Sequence, residues 1–152
     1  NYISKSKEET AMVQLIVGKK GKGKTKHLLD KVNNEVKAAS GSIVYLDKNS
    51  KHMYELNNKV RLIDCSRFPL TNSDEFIGFI CGILSQDHDL ELMYLDSFLC
   101  NAKLEENGDQ MEECIDQLEN IGNMFNVTFV LSVSKEKEEF TEELQDKIVF
   151  AL

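Results

Sequence analysis

Proline occurs once in this chain, at Pro69, and arginine twice, at Arg61 and Arg67. Pro69 falls in a connection, where its missing N–H interrupts no ladder. The four cysteines, Cys65, Cys81, Cys100 and Cys114, are widely spaced, form no C-x-x-C pair and have no histidine at zinc-ligand distance. That spacing argues against a zinc site and reads as reduced, mostly buried thiols of a cytoplasmic protein. No stretch reaches the roughly 18 uninterrupted apolar residues of a membrane span, and no signal-peptide pattern opens the chain, so membrane insertion is not expected. Basic charge is in deficit, with 18 Lys and Arg against 26 Asp and Glu and a net charge of -8. Broad nucleic-acid binding needs the opposite balance, and no nucleic-acid partner is expected.

What is present suits one folded domain. At 152 residues, 41% hydrophobic and 29% charged, the chain can bury a core without disulfides or metals. Residues 1–11 are polar and aperiodic and read as a tail or an added remnant. Residues 12–152 read as the domain.

The most informative stretch is Val13-Gln-Leu-Ile-Val-Gly-Lys-Lys-Gly-Lys-Gly-Lys-Thr25, an apolar run feeding a loop that matches G-x-x-x-x-G-K-[ST] at every fixed position. Lys19, Lys20, Lys22, Lys24 and Lys26 fall within eight residues of an otherwise acidic chain. Cations at a helix start oppose its dipole, and a bound polyphosphate would reverse that penalty.

Around this loop, strand and helix patterns alternate, the signature of a parallel sheet covered by helices. Strands are expected at Val13 to Val17, Ser42 to Leu46, Val60 to Asp64, Leu90 to Asp96, Val127 to Val133 and Ile148 to Leu152. Leu28, Leu29, Val32 and Val36 predict a helix from about Lys24 to Ala39, capped by Gly41. A short helix is expected around Lys51 to Leu56. Asn72 with Glu75 reads as the cap of an apolar helix in which Gly78 and Gly82 permit close approach to the sheet. Met111 to Phe125 is an amphipathic helix, and Lys135 to Leu144 a charged one. Between Ser97 and Gly108 lies a charged loop or short helical excursion.

The chemistry follows from residue types. Gly18 and Gly23 allow backbone N–H groups to surround an anion and Gly21 lets the backbone approach it closely, with Lys19, Lys20, Lys22 and Lys26 adding positive charge. Lys24 would reach the β- and γ-phosphates, and Thr25 would place its hydroxyl on Mg²⁺. A second oxygen ligand is expected at a strand end, where Asp96 stands, with Asp47 and Asp64 as alternatives. Ser132 and Ser134 would contact the γ-phosphate or an attacking water, or simply end a solvated strand. Neither arginine lies in an obvious lid, and Ser97 follows Asp96 where fast ATPases carry Glu; Glu105 or Glu106 would have to substitute. ATP is preferred by elimination, since the D-x-x-G and N-K-x-D signatures of guanine nucleotide binders are missing.

Gly18 to Thr25 with Asp96 resembles the Walker A and Walker B pair of the P-loop NTPase superfamily. The resemblance implies a three-layer fold, a mostly parallel sheet of five to six strands with helices on both faces. The Val127 to Val133 strand is similar to the branch that places an extra strand between the Walker strands, with Ser132 or Ser134 in the sensor position. The span from Met12 to Leu152 also resembles a family of small ATP-binding proteins sometimes labelled twitching motility ATPases. The segments 15–26, 76–84, 93–97 and 125–134 carry that likeness. The chain departs from pilus retraction ATPases, whose extra N-terminal domain, acidic and histidine boxes and arginines are not expected here. The expected function is a cytoplasmic Mg-ATP-binding protein, a slow ATPase or nucleotide-dependent switch working with a protein partner or a second copy of itself. A small-molecule kinase and a non-hydrolysing assembly module are the alternatives.

Overall fold

The structure is a computed structural model that describes residues 11–152; residues 1–10, nearly all of the expected tail, lie outside it. The elements are β1 (Val13–Val17), α1 (Lys24–Glu35), β2 (Ser42–Asp47), β3 (Val60–Asp64), α2 (Ser73–Gln86), β4 (Leu90–Leu95), α3 (Phe98–Asn101), α4 (Met111–Phe125), β5 (Thr128–Val133), α5 (Glu142–Gln145) and β6 (Ile148–Ala151). The fold is α/β. Six strands form one sheet in the order β3-β2-β4-β5-β1-β6, and every pairing is parallel.

Near-continuous apolar strands such as Leu90–Leu95 and Thr128–Val133 suit a sheet buried on both faces. Strand alternation divides their side chains between two clusters. Val44, Met93, Leu95 and Phe129 pack with Phe76 and Ile80 of α2 and with Ile115 and Leu118 of α4. Ile16, Tyr45, Tyr94 and Val130 meet Leu28, Leu29 and Val32 of α1. No helix among the described residues is long and apolar enough to cross a membrane.

Asn72 caps α2 as its sequence suggests, its Oδ1 accepting from Glu75 N at 2.8 Å. The Glu75 carboxylate reaches back to Thr71, accepting from its N at 2.6 Å and its Oγ1 at 2.7 Å. The expected short helix at Lys51 to Leu56 is a single 3-10 turn, Met53–Glu55.

Other expectations need correction. α1 ends at Glu35 and not near Ala39, because residues 36–38 tighten into a turn in which Lys37 N donates to Asn34 O and Ala38 N to Glu35 O. Gly41 is therefore no cap. A Cβ there would lie 2.2 Å from Asp89 O, so this glycine lets the chain pass the carbonyl that accepts from Ser42 N. Gly78 and Gly82 do not touch the sheet, since a Cβ at either would meet nothing within 4 Å. The close approach occurs instead at Gly122 of α4, where a Cβ would come 2.6 Å from Val127 O and 2.7 Å from Met12 Cβ. The charged segment from Lys135 to Leu144 is not one helix. A 3-10 turn at Lys137–Glu139 drives Phe140 into the core, and Thr141 then caps the short α5 by accepting from Leu144 N.

Candidate functional site

β1 delivers the chain to the carboxyl edge of the sheet, and the loop of Gly18 to Gly23 turns it into α1. Gly21 and Gly23 adopt φ of 86° and 93°, left-handed conformations that favour glycine. Within this loop Lys22 N donates to Lys19 O, and Gly18 N to Lys135 O. Among the described residues, the N–H groups of Lys19, Lys20, Gly21, Gly23, Lys24, Thr25 and Lys26 find no acceptor.

The start of α1 also differs from the other long helices. It has neither a side-chain cap nor an acidic residue in its first turn, whereas α2 carries Asp74 and Glu75 and α4 carries Glu112 and Glu113. Lysines stand there instead. Lys19 pairs with Glu136 at 3.5 Å and Lys26 with Asp30 at 3.6 Å, while Lys20 and Lys22 are exposed and make no ion pair among the described residues.

Lys24 is 7% exposed, and its Nζ donates to Gly18 O at 2.8 Å and to Lys19 O at 3.0 Å. The ammonium thus ties the loop's first turn to the helix. One of its three N–H donors is left for a ligand. Burial lowers its pKa from the usual lysine range, and the Asp96 carboxylate opposes that shift.

Asp96 follows β4 and is 2% exposed. Its Oδ1 accepts from Ser132 Oγ at 2.6 Å and from Ser97 N at 2.9 Å, and its Oδ2 accepts from Tyr45 OH at 2.8 Å. Asn101 Nδ2 holds the Asp96 carbonyl at 2.9 Å, and Ser97 adopts φ of 49°, so α3 starts directly over the carboxylate. The arrangement crosses three adjacent strands: Tyr45 from β2, Asp96 from β4, Ser132 from β5. Neither Tyr45 nor Asn101 is marked by a sequence motif. Only the parity of strand positions, odd-numbered Tyr45 facing the α1 side, hints at the first.

A cavity of about 220 Å³ lies between the loop and these strand ends, lined by Lys20, Gly21, Gly23, Lys24, Thr25, Lys48, Asp96, Ser97, Ser132 and Ser134. It joins most of the sequence-predicted residues. Gly18 and Lys19 reach it through Lys24, whereas Lys22 and Lys26 are not part of its lining. Ser132 is buried, donates its O–H to Asp96 and accepts from Ser97 N at 2.8 Å, whereas Ser134 is exposed with its hydroxyl unengaged among the described residues. A second cavity of about 360 Å³ shares Lys20, Lys48, Ser97 and Ser134 with the first and adds Glu105 and Glu139 to its walls.

The alternative strand-end carboxylates behave differently. Asp64 spends its Oδ1 on Ser66, accepting from N and Oγ. Asp47 is buried; its Oδ1 accepts from Lys48 N at 2.7 Å, and its Oδ2 has no partner among the described residues. Burial and the nearby Asp96 charge push its pKa up to about 6, against the opposing pull of the Lys48 N–H, His52 and Lys48.

No group of three or more His, Cys, Asp or Glu side chains among the described residues could hold a metal ion. The oxygen donors Thr25 and Asp96 nevertheless line one cavity, and Asp96 Oδ2, which accepts only from Tyr45, retains a lone pair. That set fits a hard cation that takes its remaining ligands from water and from an anion's oxygens. Chemically, the site pairs unclaimed amide donors and a lysine with a buried carboxylate across a small polar cavity. Comparison with known proteins finds no family that matches the chain and no curated relative.

Proposed function

We propose that this chain is a Mg-ATP-binding protein of the P-loop NTPase superfamily, with the three-layer fold of that superfamily, working as a slow ATPase or nucleotide-dependent switch in the cytoplasm. The observation that carries the reading is the set of unclaimed loop amides opening, together with Lys24, into the cavity that Asp96 lines. Oriented backbone donors at a helix start form an anion site. The position of β5 between β1 and β4 agrees with the branch that inserts a strand between the Walker strands. Its four cysteines are free, as a reducing compartment requires.

In this reading the amides of Lys20, Gly21, Gly23, Lys24 and Thr25 bind the α- and β-phosphates, and Lys24 offers its remaining donor to the β- and γ-oxygens. Thr25 and Asp96 hold Mg²⁺, which when bound neutralises charge on the transferring phosphate. Tyr45 and Ser132 fix the Asp96 carboxylate in place. Ser134 faces the terminal phosphate.

Turnover is slow because no arginine lines either cavity. Arg61 lies on the edge strand β3 and Arg67 in the turn that follows it. An arginine supplied at the γ-phosphate is worth about 10³ to 10⁵ in rate, so a protein partner or second copy would supply the cation. Isothermal titration with ATP and a non-hydrolysable analogue tests the reading. Binding of both in Mg²⁺ is expected, and absence of both removes it.

The adjoining cavity of about 360 Å³ favours a second reading, a small-molecule kinase whose acceptor sits beside the terminal phosphate. Acceptor-dependent, stoichiometric ADP formation in a phosphotransferase screen would establish it.

A further inference from the structure

The walls of the loop cavity fix which way a bound nucleotide would run. Lys48, Asp96, Ser97, Ser132 and Ser134 all stand at the ends of β2, β4 and β5, on one side of β1. The cation and terminal phosphate belong there. The nucleoside must then leave on the other side of β1, where β6 lies.

At that side Leu152 closes on the loop, its N donating to Val17 O at 2.9 Å, and a Cβ on Gly18 would lie 3.0 Å from Leu152 Cβ. A break in the β1–β6 register pairs Leu15 with Ile148 but Ile16 with Phe150. The extra residue reverses the alternation. Ile148 therefore packs with the Leu15 cluster, while Phe150 turns to the α1 face and meets His27, ring centroids 4.1 Å apart at 34°. Phe150 remains 41% exposed and Leu152 39%. An aromatic pair and an aliphatic side chain thus lie open beside the loop on a strand edge, where exposed apolar groups are costly to leave unused.

Building on the nucleotide reading above, we infer that Phe150, backed by His27 and flanked by Leu152, is the platform on which the nucleobase stacks. Stacking takes any base, because every base has a π-face, so recognition there is tolerant.

The test compares ATP with inorganic tripolyphosphate, both in Mg²⁺, by isothermal titration on the whole protein and its Phe150→Ala and Phe150→Tyr variants. Wild type is expected to prefer ATP by about tenfold or more, the return on stacking one base. Phe150→Ala should lose that preference while keeping its tripolyphosphate affinity, which also shows that the variant is folded. Phe150→Tyr should keep the preference. An unchanged ratio in Phe150→Ala, a parallel loss of both ligands, or a wild-type ratio near one overturns the platform and leaves the phosphate site standing. Failure of wild type to bind either ligand overturns the nucleotide reading itself.

Discussion

Tyr45 and Asp96 stand on adjacent strands and meet in a buried hydrogen bond, the Tyr45 hydroxyl donating to Asp96 Oδ2 at 2.8 Å. Tyr45 is fully buried and stacks on Tyr94 with ring centroids 6.0 Å apart, while the Tyr94 hydroxyl donates to Glu35 Oε1 of α1 at 2.6 Å. Burial and the Asp96 charge raise the Tyr45 pKa, so its hydroxyl stays a donor.

Tyr45→Phe removes that donor and keeps the ring. A hydrogen bond to a charged group is worth about 1.5–3 kcal/mol, and a loss of that size is expected in urea unfolding. With the carboxylate less restrained, the Mg²⁺ concentration that half-saturates nucleotide binding should shift as well. Stability and Mg²⁺ dependence both equal to wild type would show that Asp96 is held by Ser132 and Ser97 alone.

Lys24→Ala tests the loop. The ammonium contributes one free donor and its charge to a ligand, and it also ties Gly18 and Lys19 to the helix. Nucleotide affinity should fall about tenfold to a hundredfold, the worth of a charge-assisted hydrogen bond. The far-UV circular dichroism should not change, because the apolar cluster under α1 is built by Leu28, Leu29 and Val32. Wild-type affinity in this variant would place the phosphates elsewhere.

Asp47 gives a pH dependence with a definite sign. Its folded pKa of about 6 lies above the ordinary aspartate value of 3.8, so between these values the native state binds more protons than the unfolded chain. Stability from this group is present below about pH 4 and is lost as pH rises through 6. Asp47→Asn cannot ionise and should be more stable than wild type at pH 7.5, by about 3 kcal/mol at most. At pH 4 the two should converge. Urea unfolding at both values reads the difference, and a variant less stable than wild type at pH 7.5 would mean that a cation or donor satisfies Oδ2 in solution.

Much of this was legible in the residues. The run Val13 to Val17 and the alternation that follows predict a parallel sheet, because β-prone apolar stretches separated by 3.6-period segments have few other ways to pack. The loop's glycines predict unusual backbone conformations at Gly18 and Gly23, and both have positive φ, as does Gly21, where the sequence predicts close approach of the backbone. What sequence periodicity cannot carry is partnership across strands. Ser132 reads as a strand-end hydroxyl, and only the structure shows it donating a hydrogen bond to Asp96 across adjacent strands. The register break that turns Phe150 toward His27 leaves no local signal either, since one extra residue in a short apolar strand is invisible to hydropathy. Glycines mislead for a related reason: a helical glycine serves close approach only if a neighbour occupies the space.

Gly41 and Gly78 turn that reason into a measurement. A methyl group at Gly41 would meet Asp89 O at 2.2 Å, a backbone atom that cannot swing aside, whereas a methyl at Gly78 meets nothing within 4 Å. Gly41→Ala should therefore cost about 1–3 kcal/mol through overpacking at the start of β2. Gly78→Ala lies within α2, where replacing glycine by alanine should stabilise by about 0.5–1 kcal/mol through reduced unfolded-state freedom. Chemical denaturation of the two single variants should move in opposite directions from wild type. A loss of stability in Gly78→Ala would restore the expectation that this helix face packs closely, and would require a covering surface against α2.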